Sequence, residues 1–279
     1  MKEIVRRIGS KKAAIIGTVI ILFLVLLSFI GPSLNEFEYY AVNVVDQHIK
    51  PNARYWFGTD ILGRDLWTRV FQGTKVSLYV ACLAVIIDMT VGIVYGVISG
   101  YYGGWLDIIL QRILEIVEGI PTVVLVTLLM LIMKPGLTTI TIALVFAGWI
   151  NMSRLVRAQV LKLREMEYVL SAKTMGASDF YIIFREILPN VAGQIVIMAM
   201  MSIPQAIFLE AYLSFMGLGI PDPMASLGSL INTGFQSMLL YPYMVLIPVT
   251  VFVALVVSFN LIADGLRDIL DKGTEDTVS

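Results

Sequence analysis

Six long apolar runs dominate this 279-residue sequence, and they restrict the fold more than any other feature. Ala13–Ile30, Leu137–Met152 and Met244–Ala263 carry no charge, Val76–Gly100 carries only Asp88, and Val191–Met216 carries only Glu210. Leu106–Met133 begins amphipathic, with Asp107, Arg112, Glu115 and Glu118, and becomes wholly apolar after Pro121. Runs near ~20 residues match the hydrocarbon thickness of a bilayer. Inside lipid the backbone must satisfy its own hydrogen bonds, so such runs become helices. The chain therefore reads as an all-α, polytopic membrane protein with six transmembrane helices. The first run is too long for a signal-peptide core and reads as an uncleaved span.

Composition agrees, at 58% hydrophobic and 15% charged. A net charge of −1 offers no basic surface for nucleic acid. With one cysteine, Cys82, and one histidine, His48, the chain has no disulfide framework, zinc site or Cys–His nucleophile. Cys82 lies in an apolar run and reads as a buried small hydrophobe. No G-x-x-x-x-G-K-[ST] occurs, so the sequence carries no P-loop ATPase.

Lysine and arginine set the sidedness. If the N-terminus is cytoplasmic, the inner bases are Lys2, Arg6, Arg7, Lys11, Lys12, Arg154, Arg157, Lys162, Arg164, Lys173, Arg185, Arg267 and Lys272. The outer ones are Lys50, Arg54, Arg64, Arg69, Lys75 and Lys134. That excess places both termini inside.

Between the fourth and fifth spans lies a polar stretch, Glu167–Asn190, which reads as two short helices joined at a glycine. Tyr168, Ala172 and Met175 fall on one face of the first. Gly176 suits the left-handed turn that closes a helix. Ser178 suits the cap of the second helix, with Asp179 in its first turn. Phe180, Ile183, Phe184 and Ile187 give that helix an apolar stripe, and Pro189 is expected to break it. Such a hook either docks on a partner or lies on the lipid surface. Gly58, Gly63 and Asp65 supply turn and cap signals in the polar loop Ser33–Lys75, where a short surface helix is expected.

Three of these stretches resemble one family. Residues 167–189 are similar to the cytoplasmic EAA loop of ABC importer permeases. The triplet is Leu170, Ser171, Ala172, so only its second alanine is kept. Gly176, Leu188 and Pro189 stand where the motif has them, and Glu186 replaces its isoleucine. The run F-G-T-D-I-L-G-R-D, residues 57–65, resembles the signature between the first two spans of C-type peptide and nickel permeases. L-S-F-M-G-L-G, followed by Asp222-Pro223 and Leu227-Gly228, resembles a third peptide-permease motif, with Asp222 and Leu227 departing from it. The chain is thus identified as similar to C-type permease subunits of bacterial oligopeptide and dipeptide ABC importers.

The resemblance implies a type I ABC importer permease fold with a core over 76–265. The segments 1–75 and 266–279 would be the N-terminal unit and the cytoplasmic tail. It implies a transport subunit in the bacterial cytoplasmic membrane that is not itself an enzyme. Its partners would be a second, homologous permease, two ATP-binding subunits that carry ATP and Mg, and an extracellular binding protein; this chain would hold no cofactor or metal. Glu167, Ala172, Lys173, Gly176, Ala177, Phe180 and Phe184 would couple to the ATPase. Gly58, Thr59, Asp60, Gly63, Arg64 and Asp65 would form the extracellular signature. Oligopeptide is the favoured substrate, with dipeptide, glutathione and nickel as alternatives within the family.

Acids at membrane depth are costly, which draws attention to Asp88 and Glu210. Either they line the translocation path, or they are hydrogen-bonded between helices. Glu118 reads as interfacial. An ion-coupled secondary transporter would use Asp88 and Glu210 as its ion sites, but the inverted repeats it needs are not seen. An intramembrane aspartyl protease lacks a catalytic motif here. Pro121, Pro204 and Pro248 read as packing kinks, and Met198, Met200 and Met201 as core.

Overall fold

The computed structural model describes residues 2–134 and 136–275, with side chains placed from Lys12 to Asp268 except at 135 and 147. The side chains of Lys2, Arg6, Arg7, Lys11 and Lys272, counted above for sidedness, lie outside that set, as do Pro135 and residues 276–279.

Five helices are long and apolar enough to cross a bilayer. They are α1 (Lys2–Ile30), α2 (Leu66–Tyr102), α5 (Leu137–Leu163), α8 (Leu188–Leu213) with its flanking turns, and α10 (Tyr243–Glu275). A bent pair, α3 (Gly104–Glu118) and α4 (Thr122–Ile132), supplies the sixth. The short helices α6 (Glu167–Thr174), α7 (Asp179–Tyr181) and α9 (Leu227–Gln236) complete the set. The fold is all-α; the isolated bridge between Thr59 and Asp65 is its one sheet-like contact among the described residues.

Three departures from the sequence reading have local causes. The run 106–133 is not one straight span, because α3 and α4 meet at 78°. Pro121 has no N–H to give and disfavours helical geometry at Ile120, so α3 stops at Gly119. Pro121 is therefore a break and not a packing kink. Trp105, Ile108, Ile109 and Ile116 of α3 are exposed while Leu114 is buried, the pattern of a helix lying in the interface.

Second, the surface helix expected before Lys75 is the start of α2, whose 37 residues run unbroken from Leu66. A boundary at 75 falls inside this helix, and one at 265 falls inside α10. Third, Pro189 does not end a helix. The chain turns once as a π-helix over Ile182–Ile187 and passes directly into α8. Widening the turn lets Leu188 N–H reach Ile183 O and seats Pro189 in the first turn of α8, where its missing donor costs little. The Asn190 amide donates to Glu186 O at 2.6 Å.

Helices α2 and α5 form the tightest pair. Gly92, Gly96 and Gly100 recur every fourth residue on α2, where added Cβ atoms would meet Met152 Cβ, Ser153 O and Arg157 O at 2.6, 2.6 and 2.9 Å. This is close approach through a stripe of small residues, a common membrane packing solution. One apolar core, with Leu24, Val85, Ile203 and Phe259, joins α1, α2, α8 and α10. A second, with Val156, Val160, Val169, Ala172, Ile182 and Ile187, runs from the spans into the segment 167–187. Cys82, expected in the core, is exposed on α2.

Candidate functional site: the hook, the loop knot and two buried acids

The segment Glu167–Ile187 forms the expected helix–glycine–helix hook. Gly176 has φ +83°. It sits in a Schellman closure, in which Ala177 N–H donates to Ala172 O at 3.1 Å and Gly176 N–H to Lys173 O at 3.0 Å. Ser178 caps the second helix by accepting from Tyr181 N–H at 3.3 Å. The Tyr101 hydroxyl donates to Asp179 Oδ1 at 2.7 Å, tying the hook to the end of α2.

The hook's two faces differ from the simple periodic reading. Val169, Ala172, Ile182 and Ile187 turn inward. Ala172 thus packs within the chain and does not present itself to a partner. Met175 is exposed, whereas its spacing puts it on one face with Ala172. Phe180 and Phe184 point outward, 70% and 56% exposed, with ring centroids 4.4 Å apart. Glu167 and Lys173 are exposed and Ala177 is half-buried. The π-turn over Ile182–Ile187 shifts the residues that follow it relative to an α-helical stripe.

The same end of the bundle carries a layer of ion pairs. Arg157 makes a bidentate pair with Asp107, Nε to Oδ1 at 2.7 Å and Nη2 to Oδ2 at 2.6 Å. Arg164 Nη1 donates to Gly100 O at 2.9 Å, and Arg154 Nη1 to Glu118 Oε1 at 2.8 Å. Glu118 is half exposed and paired, in keeping with an interfacial position.

At the opposite end the run 57–65 folds into a charged knot. Gly58 and Gly63 both take positive φ. A Cβ at Gly63 would stand 1.7 Å from Asn43 O, so no other residue fits there. Asp60 is buried; its Oδ1 accepts from Leu62 N–H and Arg64 N–H, and its Oδ2 from Arg64 Nε at 2.7 Å. Asp65 caps α2, accepting from Thr68 N–H at 2.8 Å and from Asn35 Nδ2 at 2.9 Å. The Thr59 hydroxyl donates to Asp46 O and accepts from Ile49 N–H at 2.8 Å. Arg64 and Arg69 then reach across to Asp222 Oδ1, at 2.8 and 3.4 Å. Burial alone would raise the Asp222 carboxyl, but the Arg64 hydrogen bond and the two guanidinium charges hold it below the usual carboxylate range. Arg69 and Asp222 were not among the residues read as the signature; Arg69 was visible four residues after Asp65, but nothing local ties Asp222 to it.

The membrane-depth acids part company. Glu210 is 0% exposed. Its Oε2 accepts from Ser77 Oγ at 2.9 Å and its Oε1 from Ser214 Oγ at 2.8 Å, while Ser77 Oγ accepts from Leu227 N–H at 3.1 Å. Through these bonds the acid joins α2, α8 and α9. Asp88 is 6% exposed, its Oδ1 has no partner, and it faces a cavity of about 200 Å³ between α2, α5 and α8.

Residues 92–276 match the family described as the binding-protein-dependent transport system inner membrane component. The chain belongs to that family. Residues 1–53 also match the N-terminal transmembrane domain of oligopeptide transport permease C. The permease is 38% identical to the oligopeptide transport system permease protein OppC of Bacillus subtilis (strain 168), covering 97% of this chain and 88% of that one. It is 43% identical to the dipeptide transport system permease protein DppC of the same organism, covering 95% and 83%. Its fold resembles the MetNI methionine ABC transporter in an inward-facing conformation, with TM-score 0.60 at 17% identity, covering 70% of this chain and 93% of that one. The permease therefore has the type I ABC importer permease fold and is a multi-pass membrane protein.

Proposed function

We propose that this permease forms half of the translocation pathway of an ATP-driven importer of short peptides. The permease relatives named for oligopeptides and dipeptides set the substrate class. The observation that carries the coupling reading is mechanical. The exposed Phe180–Phe184 surface stands on a helix that continues, through one π-turn, into the membrane span α8. A partner that covers those rings and moves will move α8 with them.

Two ATP-binding subunits would supply that motion and hold ATP and Mg; this chain binds neither and performs no covalent chemistry. Glu167, Lys173 and Ala177 border the docking surface, while Ala172 and Gly176 fix its shape. A second, homologous permease would cover the face on which Asn151, Gln194 and Gln205 are exposed at membrane depth, since bare amides are poorly tolerated against lipid. An extracellular binding protein would deliver peptide to the end that carries the Asp60–Arg64 knot. The chain would sit in a bacterial cytoplasmic membrane with both termini and the hook inside.

Reconstitution with the partner subunits tests this. Labelled di- and tripeptides should accumulate in proteoliposomes only with ATP and binding protein, and the isolated chain should not hydrolyse ATP. Uptake driven by a proton or sodium gradient without ATP would overturn the reading. Single cysteines in a Cys82→Ala background test sidedness. Asn52 and Ser229 sites should react with an impermeant thiol reagent in intact cells, and a Ser178 site should not.

A further inference from the structure

Among the described residues, Asp88 is a buried acid with one oxygen left without a hydrogen-bond partner. It lies midway along the apolar run Val76–Gly100, ~18 Å of helix from either end, and so stands at membrane depth. Burial of an unpaired carboxylate is costly, and natural chains keep such groups where they act. Glu210, the comparable acid, has both oxygens satisfied by serines. Asp88 Oδ1 has no partner.

The surroundings are shaped for this side chain. Residue 148 of α5 is glycine, and a Cβ there would lie 1.8 Å from Asp88 Oδ2. The cavity it faces is also lined by Asn151, Ser202 and Gln205, and among the described residues no Lys, Arg or His lines it. Ser202 Oγ donates its proton to Met198 O at 2.9 Å, which leaves its lone pairs free to accept. The site thus offers one carboxyl group and several acceptor oxygens, a setting that suits a cationic donor. Asn151 and Gln205 are exposed, so the cavity opens onto the face assigned above to the second permease.

We propose that this cavity is the subsite for the α-ammonium group of a peptide in transit. An ammonium carries one positive charge and three N–H donors. Asp88 Oδ1 supplies the counter-charge, and Ser202 Oγ with the Asn151 and Gln205 side-chain oxygens supplies the other acceptors. The cavity, about 200 Å³ and open on one side, admits the amino end of a peptide. Such a subsite reads the feature all unblocked peptides share and leaves their side chains unread. The inference rests on the peptide reading given above.

The test uses the assembled permease pair with its ATP-binding subunits in nanodiscs, without binding protein. Radiolabelled trialanine, N-methyl-trialanine and N-acetyl-trialanine are compared by equilibrium binding. The two charged peptides should bind about tenfold more tightly than the acetylated one, the scale expected of a charge-assisted contact. Asp88→Asn should bring all three within about twofold by weakening only the charged pair. Equal binding of the three by the native complex overturns the proposal, and does so even if the Asp88→Asn complex fails to assemble. Equal weakening of all three by the variant also overturns it, because that is the mark of a structural residue. Asp88-dependent sodium or proton binding without amine preference would assign the site to an inorganic cation and overturn it too. The peptide reading fails separately, if the complete system with binding protein shows no ATP-dependent peptide uptake.

Discussion

The loop knot and the hook sit at opposite ends of the bundle, each carries a family motif, and they treat their residues in opposite ways. In the knot, Asp60, Arg64 and Arg69 are buried and bound to one another and to Asp222. In the hook, Phe180 and Phe184 are left uncovered although the chain has apolar cores beside them. A motif that satisfies itself holds the fold; a motif left unsatisfied waits for a partner. Both are legible as patterns in the sequence, and the pattern alone does not say which is which.

The largest effect should come from breaking the knot. Arg64→Ala removes the 2.7 Å partner of the buried Asp60 carboxylate and leaves it only Arg69 at 3.4 Å, a change that approaches the ~3–5 kcal/mol of a broken buried pair. Membrane yield and thermal stability of the purified complex should collapse. A variant that keeps its stability and loses only transport would move the knot into the same class as the hook.

Stripping the hook should do the reverse. Phe180→Ala with Phe184→Ala removes two exposed rings, so stability should change by less than ~0.5 kcal/mol. Peptide uptake should fall at least about tenfold, the ~1.4 kcal/mol that one lost apolar contact of this size supplies at ~25 cal/mol per Å². The readout is co-purification of the ATP-binding subunits together with uptake on one preparation. A loss of melting temperature equal to that of Arg64→Ala would erase the contrast.

Gly176→Val lies between the two. Its φ of +83° is strained for a β-branched side chain by ~1–2 kcal/mol, while open space surrounds the position. Assembly with the second permease should survive, and ATP hydrolysis should continue with reduced uptake. Parallel turnover and uptake assays check this; normal coupling would mean that the angle between the two hook helices is unimportant.

The smallest effect is acid sensitivity at Asp222, whose side chain is 66% exposed. Its folded pKa lies below the ordinary aspartate value of ~3.9. The clamp's contribution is therefore complete above about pH 4 and is lost as pH falls through the lowered value. Melting curves between pH 7 and 3 should show Asp222→Asn less stable than the native chain at neutral pH, with the two converging at the acid end. A gap that widens on acidification would mean that the pair does not form.

What was legible followed from local chemistry. Gly176, Ser178, Gly58, Gly63 and Asp65 declare their backbone roles within a few residues of themselves, and each takes the expected one. What was hidden depends on distant partners. Asp222 is more than 150 residues from Arg64 and Arg69. The inward turn of Ala172 is met by Ile182 and Ile187, and no periodicity of 3.6 foresees the π-turn over Ile182–Ile187. The spacing Gly92, Gly96, Gly100 was readable, but not the fact that α5 receives it. Asp88 and Glu210 look alike in sequence, and only Ser77, Ser214 and Leu227 set them apart.

Because α7 passes without a break into α8, the hook has no independent existence as a module. Its second half is the lower end of a transmembrane rod. Exchanging hooks between permeases to redirect them to other ATPases therefore requires a junction inside the membrane or at Gly176, where the chain already changes direction. A free peptide copied from 167–187 would lack both Val191 below it and Tyr101 beside it, and would make a poor decoy for the motor it is meant to engage.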